Sequence, residues 1–184
     1  MTCEADGLPA VGAHEAAAKP LVIGIAGWKN SGKTTLAERL IAELTRRGLR
    51  VASIKHAHHA FEIDGGATDS ARHRTAGAQQ VAIVSGARWA LVRELKGAPE
   101  PRLEEILAKL DPADVVVVEG YKRAPITKIE VRRAAALGKE PLADSDPLVA
   151  AIAADTPVEG ARVPVFRLDD IAGIADLVLS RAVR

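Results

Sequence analysis

The chain has 184 residues, 48 % of them apolar and only 3 % aromatic, and a formal net charge of +1. This length allows one domain with a sizeable core and excludes two large ones, and the shortage of aromatic residues means that Ala, Val, Leu and Ile must build that core. The charge gives no basis for a nucleic-acid-binding surface, and no apolar run reaches the roughly 18 to 20 residues that span a bilayer.

The amino-terminal segment, residues 1–19, is rich in alanine, glycine and acids. It lacks the basic start and long apolar stretch of a secretory signal, so we expect a disordered tail followed by one domain over residues 20–184. The single cysteine, Cys3, cannot form an internal disulfide, which fits a reducing compartment. We therefore expect a cytoplasmic protein that binds neither nucleic acid nor membranes.

The first predicted elements are a strand, a glycine-rich loop and a helix. Leu21–Ala26 is apolar and branched enough for a buried parallel strand, and residues 35–44 carry leucine and isoleucine at helical spacing. Between them, residues 27–34 read Gly-Trp-Lys-Asn-Ser-Gly-Lys-Thr, which is a complete phosphate-binding loop. Strand and helix stand where such a loop requires them, so a chance glycine-rich turn is the weaker interpretation.

The residue types of this loop suit a nucleoside triphosphate with Mg²⁺. Glycines at both ends let the backbone wrap around a phosphate, and the start of the helix directs partial positive charge at it. Lys33 can reach the β and γ phosphates, and the Thr34 hydroxyl can bind Mg²⁺. The predicted nucleotide-binding residues of the loop are Gly27, Asn30, Ser31, Gly32, Lys33, Thr34 and Thr35.

The rest of the chain predicts an α/β fold. Further strands are expected at 50–54, 81–84, 89–92, 115–118, 128–132, 148–154 and 163–168, and helices at 69–76, 101–110 and from Asp169 towards Val183. The short gap after 81–84 favours an antiparallel hairpin with 89–92. The alternation in 128–132 is typical of an edge strand, whereas 148–154 resembles an interior one. Together these predict a P-loop NTPase-like fold with a mostly parallel, mixed sheet and helices on both faces.

Two carboxylates at strand ends are candidates for the rest of a nucleotide site. Glu119 follows four buried valines, where it could join the magnesium shell through water or orient an attacking water. We predict that Lys33 and Glu119 are the catalytic residues, and that Thr34 and Glu119 bind magnesium. Asp155 closes the strand 148–154 and could accept from the ring NH and amine of guanine, although a loop cap before Thr156 is an equal alternative.

A second ligand site is predicted after the second strand. Three histidines in four residues could bind a metal or sense the γ-phosphate, and the basic segment that follows could hold a second anion. A solvated polar face is the plain alternative. The predicted set is His56, His58, His59, Ser70, Arg72 and Arg74.

These segments resemble the molybdopterin-guanine dinucleotide biosynthesis protein B family. The resemblance rests on the phosphate loop, on Ile-Lys-His-Ala-His-His at 54–59, on the segment 69–78 and on Val-Glu-Gly-Tyr-Lys at 118–122. It covers about residues 21–170. One departure is Gly-Gly-Ala at 65–67, where the family often has Pro-Gly.

The resemblance implies a GTP-binding protein, usually a homodimer, that is at most a slow GTPase forming GDP and phosphate. It implies that the protein assists the molybdenum cofactor guanylyltransferase, as an adaptor or as a carrier of molybdopterin or its guanine dinucleotide. It also makes Asp155 the leading guanine reader. A pterin phosphate or the dinucleotide then becomes the candidate ligand for the histidine and arginine segments.

Two other functions stay open from the residues. A small-molecule kinase uses the same loop, and Arg72 and Arg74 could clamp its acceptor or the transferred phosphate. A metal-insertion GTPase would instead load an ion through the histidines at 56, 58 and 59.

Overall fold

The computed structural model describes residues 19–57, 68–136 and 140–181. The chain divides into two compact units, one formed by residues 1–55 with 111–184 and the other by residues 56–110. The single domain expected over residues 20–184 stays a prediction. The expected disordered tail lies, apart from Lys19, outside the described residues. Within the described part, no helix is both long enough and apolar enough to cross a membrane.

The regular elements follow the predicted order. The strands are β1 (Leu21–Ala26), β2 (Val51–Lys55), β3 (Gln80–Val84), β4 (Trp89–Arg93), β5 (Val115–Glu119), β6 (Lys128–Arg132), β7 (Val149–Ala154) and β8 (Val165–Arg167), and the helices are α1 (Lys33–Arg46), α2 (Asp69–Thr75), α3 (Leu103–Leu107) and α4 (Ile171–Ser180). The predicted helix 101–110 is shortened to α3, because Lys109 and Leu110 donate to carbonyls only three residues back.

The first unit contains a six-stranded sheet in the order β2-β5-β1-β6-β7-β8, and every neighbouring pair is parallel. The predicted α/β class with a mostly parallel sheet is confirmed. The antiparallel β3–β4 hairpin was predicted correctly, and it forms a separate two-stranded sheet. The six-stranded sheet brings the carboxyl ends of its strands to one edge, where α/β proteins place their ligands.

The prediction that residues 128–132 form an edge strand is wrong, because β6 lies between β1 and β7. The polar residues that created the alternating pattern, Lys128 and Glu130, are each only 1 % exposed. Lys128 Nζ donates to Asp146 at 2.7 Å, and Glu130 accepts three hydrogen bonds. These partners satisfy both buried charges, so polar residues can stand inside the sheet.

One face of this sheet packs on α1 and α4. The core on this face is made of alternate strand residues and the apolar stripes of both helices. Arg47 links the helices: Nη1 donates to Asp176 at 2.5 Å, and Nη2 donates to the Ala172 carbonyl. Gly48 follows α1 with φ of 84°, the left-handed conformation that commonly ends a helix.

The start of α4 differs from the prediction by one residue. Asp170 is the N-cap and accepts from the Gly173 amide at 3.0 Å, whereas Asp169 pairs with Arg167. The strand before it is also shorter than predicted, because only Val165–Arg167 pairs with β7. Two adjacent aspartates offer the same cap chemistry, and the pairing of Asp169 leaves the cap to its neighbour.

The opposite face carries a 3₁₀ turn, Leu142–Asp144. Glu130 lies on that face, since Ile129 and Val131 belong to the core beside α1. Its carboxylate accepts from the amides of Leu142 and Ala143, both at 2.9 Å. The turn is therefore fixed to the centre of the sheet by one buried acid.

The second unit holds the β3–β4 hairpin, α2 and α3. The antiparallel register places Val84 opposite Trp89 and Ala82 opposite Leu91, so these four side chains share one face. Val81, on the other face, is buried, and α2 packs against β3. The face with Trp89 is exposed, with Val84 76 %, Trp89 68 % and Leu91 54 % accessible.

Candidate functional site

The loop between β1 and α1 has the backbone geometry of a phosphate cradle. Gly27, Asn30 and Gly32 have φ of 151°, 64° and 91°, and the amide of Ser31 donates back to the Trp28 carbonyl. A Cβ on Gly27 would lie 2.6 Å from both Ser31 Oγ and the Val131 carbonyl oxygen. The loop is thus wound tightly against the end of β6, and only glycine fits at its first position.

Three predicted residues meet at the start of α1. The parallel register pairs Ile25 with Glu119, so β1 and β5 end side by side. Thr34 Oγ1 donates to Glu119 Oε1 at 2.7 Å, and Lys33 Nζ donates to the Trp28 carbonyl at 2.8 Å. Thr35 follows as an exposed residue of the first turn of α1. The arrangement puts an ammonium, a hydroxyl and a carboxylate at the mouth of the loop.

Further lysines surround the same point. Lys55, at the end of β2, lies 3.5 Å from Glu119 Oε2 and from Thr34 Oγ1. Lys122 Nζ stands 3.7 Å above the centroid of the Trp28 ring, a cation–π contact. Burial lowers the pKa of Lys33, Glu119 opposes that shift, and Lys122 and Lys55 add to it. An anion placed among these ammonium groups would be strongly attracted.

Asp155 lies on the other side of the loop, at the end of β7. Its Oδ1 accepts from the Ala134 amide at 2.9 Å, and its Oδ2 lies 3.9 Å from Arg133 Nε. Arg133 in turn approaches Gly32, whose ideal Cβ would be 3.3 Å from Arg133 Cδ. Asp155 therefore holds the loop that follows β6, through Ala134, and it lies within one side chain of the phosphate loop. Its role as base reader stays a prediction.

A cavity of about 340 Å³ opens between the loop and the ends of β6 and β7. Its lining residues are Trp28, Ser31, Glu130, Val131, Arg132, Arg133, Ala134, Ala136, Pro141, Thr156, Pro157, Val158 and Glu159. Ser31 is 1 % exposed, and among the described residues its hydroxyl has no hydrogen-bond partner. A buried hydroxyl in this state suits a bound polar ligand or water.

The predicted second ligand set lies in the second unit, except for His58 and His59, which fall outside the described residues. The other basic groups each accompany a carboxylate: His56 with Glu100 at 2.7 Å, Arg72 with Asp69 at 3.5 Å and Arg74 with Glu94 at 3.3 Å.

Ser70 Oγ lies 3.3 Å from the Thr68 hydroxyl, which caps α2. In the described part of the chain no group of three or more His, Cys, Asp and Glu side chains is placed to hold a metal. A pterin or anion site in this unit stays a prediction.

Sequence reasoning gave no role to Lys55, Lys122, Arg132 or Arg133. Lys55 and Lys122 stand inside the segments that carry the family resemblance. The sequence did carry a signal for Lys55, Arg132 and Arg133, because each of them ends or directly follows a predicted strand.

The parallel sheet with its β1–loop–α1 unit defines a protein of the P-loop NTPase-like α/β class. The family model described as molybdopterin guanine dinucleotide synthesis protein B matches residues 22–155. The chain belongs to this family of molybdopterin guanine dinucleotide biosynthesis, and the resemblance seen in the sequence is confirmed.

Individual relatives agree with this assignment. The molybdopterin-guanine dinucleotide biosynthesis adapter protein of Haemophilus influenzae is 39 % identical over 160 residues, which is 85 % of this chain and 86 % of that protein. The protein of the same description from Escherichia coli is 36 % identical over 160 residues, 86 % of this chain and 91 % of its own length.

Solved structures share the fold. A crystal structure of a molybdopterin-guanine biosynthesis protein B superposes with a TM-score of 0.68 at 29 % identity, covering 89 % of this chain and 100 % of that one. The MobB homologue from Bacillus stearothermophilus gives a TM-score of 0.63 at 29 % identity, with 87 % and 99 % covered.

Replacing Gly27 by alanine should open the loop. The new Cβ must displace Ser31 Oγ or the Val131 carbonyl, so we expect Gly27→Ala to lower the melting temperature by several degrees. Gly86→Ala is the matched control, because a Cβ on Gly86 meets nothing within 4 Å. Calorimetric melting of both variants measures the effect. Equal melting temperatures for Gly27→Ala and the wild type would show that the loop is not wound as described.

Proposed function

We propose that this protein is a GTP-binding adapter with slow GTPase activity, which assists the molybdenum cofactor guanylyltransferase. The observation that carries the proposal is the meeting of Lys33, Thr34 and Glu119 at the mouth of the loop, beside a cavity of base size. The phosphates would lie in the loop and the base in the cavity. A nucleotide held in this way can set the conformation in which a partner is bound.

Magnesium fits the phosphate end of the site. The Thr34 hydroxyl and the Glu119 carboxylate are the hard oxygen ligands that Mg²⁺ prefers, and they already lie within 2.7 Å of each other. Lys55 already places an ammonium 3.5 Å from both groups, and Mg²⁺ would replace this ammonium as the cation nearest the carboxylate. Bound Mg²⁺ would supply charge compensation to the β and γ phosphates. Lys33, released from the Trp28 carbonyl, would bind the same phosphates.

Slow hydrolysis follows from how Glu119 is held. One carboxylate oxygen accepts from Thr34 and the other faces Lys55, so Glu119 is placed for the metal shell rather than for taking a proton from water. Lys33 would offset charge on the γ-phosphate as water attacks it. The products are GDP and phosphate, and the site can remain occupied by GTP for long enough to serve as a binding signal.

Asp155 supports the choice of guanine. A carboxylate at the end of β7 can accept from the ring NH and exocyclic amine of guanine, whereas adenine offers no donor at the ring position. Its Oδ2 makes only a long contact to Arg133 at 3.9 Å, which leaves acceptor capacity on that oxygen. The adapter role itself is supported by the relatives from Haemophilus influenzae and Escherichia coli, which are described as adapter proteins of this biosynthesis.

A homodimer through the hairpin belongs to the same proposal. An isolated two-stranded sheet is marginally stable in water, and the β3–β4 sheet exposes Val84, Trp89 and Leu91 together on one face. A second copy of the chain offers the same apolar face, so a twofold axis would bury both at once.

Nucleotide binding is tested by titration calorimetry with GTP and ATP in the presence of Mg²⁺. We expect tighter binding of GTP, and loss of binding to both nucleotides in Lys33→Ala, because the phosphates lose the ammonium that binds them. Lys29→Ala, which removes an exposed lysine from the same loop, is the control and should bind normally. Equal or better binding of ATP would contradict the choice of guanine, and unchanged affinity in Lys33→Ala would contradict the phosphate-loop assignment.

The adapter role is tested by affinity capture from the source cells, with the tagged chain as bait. We expect recovery of the molybdenum cofactor guanylyltransferase together with a pterin, both identified by mass spectrometry. The Lys33→Ala bait should recover less of the enzyme if the nucleotide-bound state binds it. A bait that binds GTP but captures no guanylyltransferase would refute the adapter role while leaving the nucleotide site intact.

The dimer is tested by light scattering on a gel-filtration column. The wild type should elute with twice the chain mass, and Trp89→Glu should elute as a monomer, because a charge on the apolar face cannot be buried without a partner. Arg88→Glu, a charge change at the exposed neighbouring turn, is the control and should stay dimeric. A monomeric wild type, or a dimeric Trp89→Glu variant, would exclude the hairpin as the interface.

A further inference from the structure

Arg132 ends β6 at the wall of the cavity beside the phosphate loop. Its Nη2 donates to Glu130 Oε2 at 2.8 Å, so the guanidinium is held from one side. Glu130 cannot move to follow it, since two backbone amides of the turn 142–144 donate to the same carboxylate. The orientation of Arg132 is therefore set before any ligand arrives.

One donor of this guanidinium has no acceptor. Arg132 Nε is buried, and none of the described residues offers it a hydrogen-bond partner. A buried donor in this state costs free energy that an acceptor on a ligand would recover. Among the described residues, the other buried side-chain polar atom of the cavity lining that has no hydrogen-bond partner is Ser31 Oγ, which belongs to the phosphate loop.

The cavity has the position of a base pocket. Ser31 and Trp28 of the phosphate loop form one side, and residues 156–159, which directly follow Asp155, form another. A nucleotide with its phosphates in the loop would extend its base towards these walls. At about 340 Å³ the cavity is at the small end of ligand sites, which suits one nucleoside better than a dinucleotide.

We propose that Arg132, positioned by Glu130, selects guanine by donating a hydrogen bond from Nε to the O6 oxygen of the base. Adenine carries an amine at that position, which cannot accept, so the donor would stay unsatisfied. The inference rests on the proposed binding of GTP and names a second determinant of base choice. Asp155 would read the ring NH and the 2-amine, while Arg132 reads the neighbouring O6.

Base analogues isolate the contact at position 6. Inosine triphosphate keeps O6 and the ring NH and lacks the 2-amine, whereas 2-aminopurine riboside triphosphate keeps the 2-amine and lacks both O6 and the ring NH. Removing the Arg132 donor should therefore affect GTP and inosine triphosphate alike. It should not change the affinity for ATP or for the 2-aminopurine nucleotide, neither of which has an acceptor at position 6.

The experiment is calorimetric titration of Arg132→Met with these four nucleotides and Mg²⁺. We expect GTP and inosine triphosphate to bind about tenfold to a hundredfold more weakly, as for loss of a charged hydrogen bond, with the other two unchanged. Arg167→Met removes an exposed arginine of β8 and should match the wild type. Circular dichroism melting confirms that each variant is folded.

Arg132→Met leaves Glu130 with one partner fewer, so a second variant combines it with Glu130→Gln and removes both buried charges. This double variant should show the same pattern of affinities, with weaker binding of GTP and inosine triphosphate and unchanged binding of the other two nucleotides. A GTP-to-ATP preference that is undiminished in both variants, or an equal loss for all four nucleotides, would overturn the role of Arg132. A wild type that binds none of the four would instead refute the proposed nucleotide site.

Discussion

The site depends on the parallel pairing of β1 with β5. That register sets Ile25 beside Glu119, and the two chains then leave the sheet at the same level. The phosphate loop starts from one strand end and the carboxylate from the other, so Thr34 reaches Glu119 without any long connecting segment. A slip of one residue would turn Glu119 to the other face of the sheet and separate the two groups. The apolar residues of both strands fix the register, which means that the core positions the polar site.

The sequence predicted the parts of this arrangement that are local. Strand, loop and first helix are contiguous, and the glycines, the lysine and the threonine carry their conformations and chemistry with them. The valine run predicted β5 for the same reason. The length of helix α3 was overestimated, because its apolar pattern continues into a tighter turn that periodicity does not distinguish from an α-helix.

The errors and omissions come from partners distant in the chain. Lys128 and Glu130 gave β6 the pattern of an edge strand, since alternation cannot show that Asp146 pairs with Lys128 or that amides of the turn 142–144 donate to Glu130 inside the sheet. Lys55 was missed for the same reason. Its place in the site depends on Thr34 and Glu119, which are distant in the chain and lie beside it in the fold. Spacing along the chain reveals chemistry within one loop, and the sheet order decides which loops meet.

The two tryptophans of the chain fall on different features, Trp28 in the phosphate loop and Trp89 on the exposed face of the hairpin. Trp28 contacts Lys122 and donates from its indole nitrogen to the Glu140 carbonyl, so its surroundings depend on the ionic state of the loop. Trp89 lies on the exposed apolar face beside Val84 and Leu91, so its fluorescence would change when a partner covers that face. The chain thus carries two natural fluorophores on two different surfaces. When one tryptophan is replaced by phenylalanine, the emission of the other reports binding at its own surface in real time.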